Sequence, residues 1–136
     1  MKVRLDEGAY APERAHATDA GMDLRAMESD RIPAHGYRTF RTGVHIQLPK
    51  GCAGLLASKS GLNTKLGITS TGLIDDGYSG EIMVTLHNSD SWPYLVSKGD
   101  KISQLVIIPV RYEPVEIVDE IEAGERGEAG FGSTGK

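Results

Sequence analysis

Glu81–Asn88 reads EIMVTLHN, in which Ile82, Val84 and Leu86 alternate with Met83, Thr85 and His87. A period of two puts the three aliphatic side chains on one face, the mark of a half-buried β-strand. Residues 37–48, YRTFRTGVHIQL, extend this reading upstream: they are rich in β-formers, partly alternate, and run into the turn PKG. Downstream, residues 102–110, ISQLVIIPV, form a nearly continuous apolar run, as for a strand buried on both faces, and residues 115–118 are a shorter β-rich piece. Gly or Pro separates these runs at short intervals, which favours a sandwich, jelly roll or small barrel over a helical or α/β fold. The one predicted helix is a short turn over Ser60–Leu66, SGLNTKL, closed by Gly67.

A chain of 136 residues suits one domain, with a β body over 1–123 and a separate C-terminal segment over 124–136. That segment, GERGEAGFGSTGK, holds five glycines and one aromatic, so ordering it carries a high entropic cost. The apolar fraction of 39% and charged fraction of 25% are those of an ordinary soluble protein. No apolar stretch approaches the roughly 20 residues of a membrane span. The start, MKVRLDEGAY, lacks the features of a secretory signal, so a cytoplasmic location is expected. Cys52 is the only cysteine, which rules out an intrachain disulfide; within CAGLLA it reads as core filler. A formal charge of −4 argues against binding duplex nucleic acid, so an anionic ligand must be held by local donors and a metal. His16, His35, His45 and His87 are too scattered to pair on one element around zinc.

Residues 130–136, GFGSTGK, match the glycine and lysine spacing of a phosphate loop, but the match stops at Lys136, short of the hydroxyl residue and the helix that such a loop needs. What survives is local chemistry: backbone N–H groups at Gly130 and Gly132, hydroxyls on Ser133 and Thr134, and the guanidinium fork of Arg126. Four more segments are too polar and glycine-rich for plain strands: AGMDLRA (20–26), SKSGL (58–62), GLIDDGYSGE (72–81) and GDKISQL (99–105). Singly they have plain explanations, with Asp23 and Asp100 as turn residues, Ser60 as a helix cap, residues 75–77 as a hairpin turn and Gln104 as an exposed strand position.

Together, in order and spacing, the four segments and the tail resemble the five motifs of the trimeric deoxyuridine triphosphatase (dUTPase) family, over residues 20–135. The resemblance implies a jelly-roll-like, distorted β-barrel subunit in a homotrimer whose three active sites each draw on three chains. It implies hydrolysis of dUTP to dUMP and pyrophosphate with Mg²⁺. Carried onto this sequence, Asp75 corresponds to the general base that activates water, and Tyr78 to the platform under the deoxyribose, where it excludes a 2′-hydroxyl. Asp23 corresponds to the carboxylate that orients the metal through its waters, since Mg²⁺ gives up water reluctantly. Lys59, Ser60, Gly61 and Gln104 correspond to phosphate-binding positions, and the backbone from Gly72 to Ile74 to the base-reading edge. Arg126, Gly132, Ser133 and Thr134 belong to the motif that reaches the outer phosphates, with Phe131 over the uracil, in a flexible C-terminal lid.

The assignment also agrees with the chemistry, because water attack on a phosphate asks for a positioned base, charge neutralisation and in-line geometry. Asp76 reads as a turn residue, since a second free carboxylate beside a triphosphate adds repulsion. Three positions depart from the family pattern. Lys59 stands where Arg is usual and lacks the bidentate fork, and Ser58 stands where Pro is usual. Thr69 replaces an Asn that contacts uracil in several relatives, which shifts base recognition to the backbone. A related family, the dCTP deaminases, shares the fold but needs a catalytic acid where this chain reads TLHN. A dUTP-liganded signalling module is the reading from another class.

Overall fold

The computed structural model describes residues 1–122 and 124. Its strands are β1 (Lys2–Leu5), β2 (Gly21–Arg25), β3 (Asp30–Ile32), β4 (Tyr37–Gln47), β5 (Cys52–Ala57), β6 (Ile68–Thr69), β7 (Thr71–Ile74), β8 (Glu81–Asn88), β9 (Tyr94–Val96) and β10 (Lys101–Pro109). A single helix among the described residues, α1 (Ser60–Leu66), lies between β5 and β6. The strands make one four-stranded sheet in the order β1-β4-β8-β6, a second in the order β2-β10-β5-β7, and a small pair, β3-β9. All pairings are antiparallel, and the architecture is the jelly-roll-like barrel expected from the sequence.

The alternation in EIMVTLHN is realised in β8: Ile82, Val84 and Leu86 are buried, while Met83 and His87 are exposed. Opposite it, β4 buries Phe40, Val44 and Ile46, and the core is completed by Leu24, Ile32, Ile68, Ile102 and Leu105 from the other elements. The β4–β8 register shifts between Arg41 and His45, where Gly43 adopts a φ of 64°. A Cβ there would also overlap Met27 and Ala9, so glycine is required twice over. Thr42 in this bulge is fully buried yet satisfied: its hydroxyl donates to the Ile82 carbonyl at 2.6 Å and accepts from the Val44 N–H at 3.2 Å. Helix α1 ends as predicted, with Gly67 left-handed and its N–H on the Asn63 carbonyl.

Four local expectations are corrected. Residues 75–77 do not close a hairpin, because β7 and β8 belong to different sheets and the turn carries the chain from one to the other. Residues 115–118 are not a strand: no strand among the described residues lies beside them, and Val115 and Ile117 are 91% and 95% exposed. The run 102–110 is buried only in its first half, since β2 flanks β10 as far as Val106 and not beyond. Cys52 is half-buried at the first position of β5 rather than packed in the core.

Candidate functional site

Strand β7 ends in a tight turn in which the Tyr78 N–H donates to the Asp75 carbonyl at 3.1 Å, and Gly77 takes the positive φ of 88° that this turn type needs at its third position. Asp76 is fastened away from the cavity: its carboxylate accepts from the Gly51 N–H at 3.2 Å and from the Tyr112 hydroxyl at 3.5 Å. Among the described residues Asp75 has neither an ion pair nor a side-chain hydrogen bond, and it is exposed. The Tyr78 ring lies over Gly80, where any Cβ would overlap it, and its hydroxyl donates to the Glu81 carbonyl at 3.1 Å. Gly72, Leu73, Ile74, Asp75, Tyr78 and Met83 line a cavity of about 370 Å³. Ile74 also belongs to the core. Because β7 is the last strand of its sheet, the peptide groups that face away from β5 have no strand beside them among the described residues.

The other corner of the same sheet holds a charged cluster. Asp23 on β2 is buried, and its two oxygens lie 2.5 Å from Lys59 Nζ and 2.7 Å from Lys101 Nζ. Burial pushes the Asp23 carboxyl up, but the hydrogen bonds and charges of Lys101 and Lys59 outweigh it and hold the group below its ordinary value. Lys59 sits at the N-cap of α1, directly before Ser60 and Gly61, and the space beside Gly61 is open. Gln104 is the cross-strand partner of Asp23, and its side chain lies over Gly21, where a Cβ would come within 2.9 Å of the Gln104 Cβ. Next to Lys59, Ser58 is tied to Ser70. Its hydroxyl donates to the Ser70 carbonyl and accepts from the Ser70 N–H, both at 2.9 Å, and Ser70 continues to Ser103 at 2.9 Å.

The sequence-predicted residues thus fall into two groups. Gly72, Ile74, Asp75 and Tyr78 share the cavity; Asp23, Lys59, Ser60, Gly61 and Gln104 gather at the opposite corner of the sheet. Thr69 joins neither, since it lies on β6 across from His87. Arg126, Phe131, Gly132, Ser133, Thr134 and the lid expected of them lie outside the described residues. Sequence reasoning missed Lys101 and the Ser58–Ser70–Ser103 chain. Lys101 stands inside the GDKISQL segment, but only the β2–β10 register reveals its partner.

A family model described as dUTPase matches residues 7–135. The deoxyuridine 5′-triphosphate nucleotidohydrolase of Corynebacterium glutamicum is 44% identical, over 98% of this chain and 93% of that protein. The enzyme of the same name from Tropheryma whipplei is 42% identical, over 97% and 93%. The dUTPase of Staphylococcus bacteriophage 80alpha, solved with dUPNHPP, superposes with a TM-score of 0.94 at 32% identity, covering 99% of this chain and 98% of that one. A mutant dUTPase from phage phi11 of S. aureus, whose structure reveals the coordination of a structural Mg(II) ion, gives a TM-score of 0.81 at 31% identity over 88% and 96%. The motifs, the barrel and these likenesses coincide over nearly the whole length, and the chain belongs to the dUTPase family.

Proposed function

We propose that this protein hydrolyses dUTP to dUMP and pyrophosphate, with Asp75 as the general base. The observation that carries the reading is the exposed Asp75, unpaired among the described residues, on a glycine-set turn beside Tyr78 and the outer edge of β7. Asp75 takes a proton from water as the water oxygen bonds to the α-phosphorus; the bond from that phosphorus to the α,β-bridging oxygen breaks, and pyrophosphate leaves. A carboxylate held by a cation would be a poorer base, so the lack of a partner among the described residues suits the role. Tyr78, with its ring braced over Gly80, supplies the flat surface under the deoxyribose. The outward peptide groups of β7 supply both donors and acceptors to a uracil edge, which no side chain at Thr69 does.

Lys59, Ser60, Gly61 and Gln104 are proposed to hold phosphate oxygens. Among the described residues no three His, Cys, Asp or Glu side chains group together, so the donor set does not fit an all-protein metal cage. It fits a Mg²⁺ held chiefly by the triphosphate, with Asp23 as the carboxylate beside its waters. Such an ion, when bound, neutralises charge on the phosphate oxygens.

A homotrimer is part of the proposal, and the separation of the two groups supports a site shared between copies. Asp23 pairs with Gln104, Gln104 with Ala57 and Ala57 with Thr71, and Asp75 lies four residues farther along β7. With strands about 4.8 Å apart and a rise of about 3.3 Å per residue, this puts the two aspartates on the order of 20 Å apart. That exceeds the reach of one triphosphate, so a complete site needs the Asp75 corner of one copy beside the Asp23 corner of another. Val115, Ile117 and Ile121, all at least 88% exposed, are apolar surface suited to such an assembly. The tail motif with Arg126, Phe131, Gly132, Ser133 and Thr134 is proposed to close over the bound nucleotide as a lid. No described helix is long and apolar enough to cross a membrane, and a cytoplasmic site of action is part of the proposal.

Pyrophosphate release from dUTP, dTTP, dCTP and UTP, measured with Mg²⁺, tests the reading. Release from dUTP alone is expected. Ammonia from dCTP, or equal turnover of all four, would overturn it.

A further inference from the structure

Asp23 has one carboxylate and two lysines. Its side chain is 5% exposed, whereas those of Lys59 and Lys101 are 22% and 33% exposed, so both lysine side chains are partly open to solvent while their anchor is buried. The trio carries a net charge of +1 in a chain of net −4, and it lies where the sheet brings Gln104 opposite Asp23 and where Lys59 leads into Ser60 and Gly61. Burying an ion cluster is weak support for stability, because desolvation offsets much of the attraction. A lysine also lets go more readily than an arginine would. Its ammonium is a point charge on a flexible stem, without the fork that locks onto both oxygens of a carboxylate, and it can turn to a new acceptor without backbone movement.

We propose that Lys59 and Lys101 are exchangeable counter-ions: Asp23 holds them in the free protein, and a bound triphosphate takes them over, leaving Asp23 to face the accompanying cation. Lys101 thereby becomes a further phosphate-binding residue. The inference rests on the phosphate site proposed above and deepens it. Asp23 acts as an internal stand-in for phosphate. A polyphosphate without a metal must win two lysines from a carboxylate and leave that carboxylate buried and unpaired. With Mg²⁺ present, the freed Asp23 has a new cationic neighbour. Anion and metal therefore bind with positive coupling, and the coupling runs through Asp23.

The test uses the full chain, inorganic tripolyphosphate and calorimetry, with and without Mg²⁺, so it contains no nucleotide and no turnover. In the wild type, Mg²⁺ is expected to tighten tripolyphosphate binding beyond its effect on the anion in buffer. Asp23→Asn keeps the shape but gives up the competing charge. Metal-free binding is expected to tighten by about fivefold or more, and the Mg²⁺ enhancement to shrink by the same factor. A folded Asp23→Asn protein whose metal-free affinity is unchanged or weaker would overturn the exchange. Lys101→Gln is the second arm, usable if Asp23→Asn does not fold. It is expected to weaken tripolyphosphate binding about fivefold, and unchanged affinity would again overturn the proposal. Either failure leaves dUTP hydrolysis untouched, and failure of the nucleotide panel leaves this binding result standing.

Discussion

Asp75 and Asp23 sit at opposite corners of one four-stranded sheet and have opposite surroundings. Asp75 is exposed, on a turn, with no cation in contact among the described residues; Asp23 is buried in a strand with a lysine on each oxygen. The difference teaches what each carboxylate can do. A group that must accept a proton keeps its lone pairs open, whereas a group held between two ammonium ions is a fixed charge whose proton affinity has been suppressed. The fold achieves this by placement: a glycine-dependent turn lifts Asp75 out of the sheet, and cross-strand register brings Lys101 onto Asp23.

The hardest blow to this contrast is Asp75→Asn. Turnover of dUTP is expected to fall by at least about 10²-fold, with binding of a non-hydrolysable analogue and thermal stability nearly unchanged. Near-wild-type turnover would place the base elsewhere. Next in size is Gly80→Val, which drives a side chain into the Tyr78 ring. The ratio of kcat/KM for dUTP over UTP should drop on the order of tenfold, since the ring's position is proposed to exclude the ribose hydroxyl. An unchanged ratio would detach Tyr78 from sugar discrimination.

Asp76 sharpens the comparison, because it is the neighbouring carboxylate that is tied down. Asp76→Ala gives up the contacts to Gly51 and Tyr112 and should lower kcat about fivefold, the worth of roughly 1 kcal/mol. Asp76→Asn, whose carbonyl oxygen still accepts from Gly51, should restore most of it. If both variants match the wild type, Asp76 does not position the turn. The smallest effect belongs to Glu13, beside Asp23 through a β-bridge and paired with Arg25 at 2.6 Å. The Arg25 hydrogen bond, then its charge, holds the Glu13 carboxyl below its ordinary value of 4.5. A lowered carboxyl adds stability that is present above its unfolded pKa and is lost as pH falls through the folded one. Glu13→Gln should therefore lower the melting temperature slightly at pH 7, and the difference from the wild type should vanish as pH falls below about 4.5. An equal offset at both pH values would mean the Glu13 charge is not involved.

Much of the fold is legible in local pattern. The period of two in EIMVTLHN and the glycine after SGLNTKL mark β8 and α1 with correct bounds, because alternation and a left-handed cap are short-range facts. Pairing is long-range, and there local pattern misleads. Residues 75–77 look like a hairpin loop, yet nothing in DDG says whether the flanking strands meet. Residues 115–118 have strand chemistry without a strand to join among the described residues. The site shows the same division. Asp75 and Tyr78 are legible because their turn is contiguous in sequence, while the role of Lys101 depends on a register 78 positions away from Asp23.

Strand β7 stands at the rim of its sheet and offers peptide groups rather than side chains to whatever lies along it. Amide and carbonyl groups are common to almost all amino acids, and proline alone lacks the N–H. An inhibitor that bonds to this rim would therefore be hard to escape by single substitutions. Exchanging Thr71 or Leu73 for another residue alters bulk but keeps the hydrogen-bonding pattern, and proline, which removes it, would also disable the proposed recognition of the nucleotide.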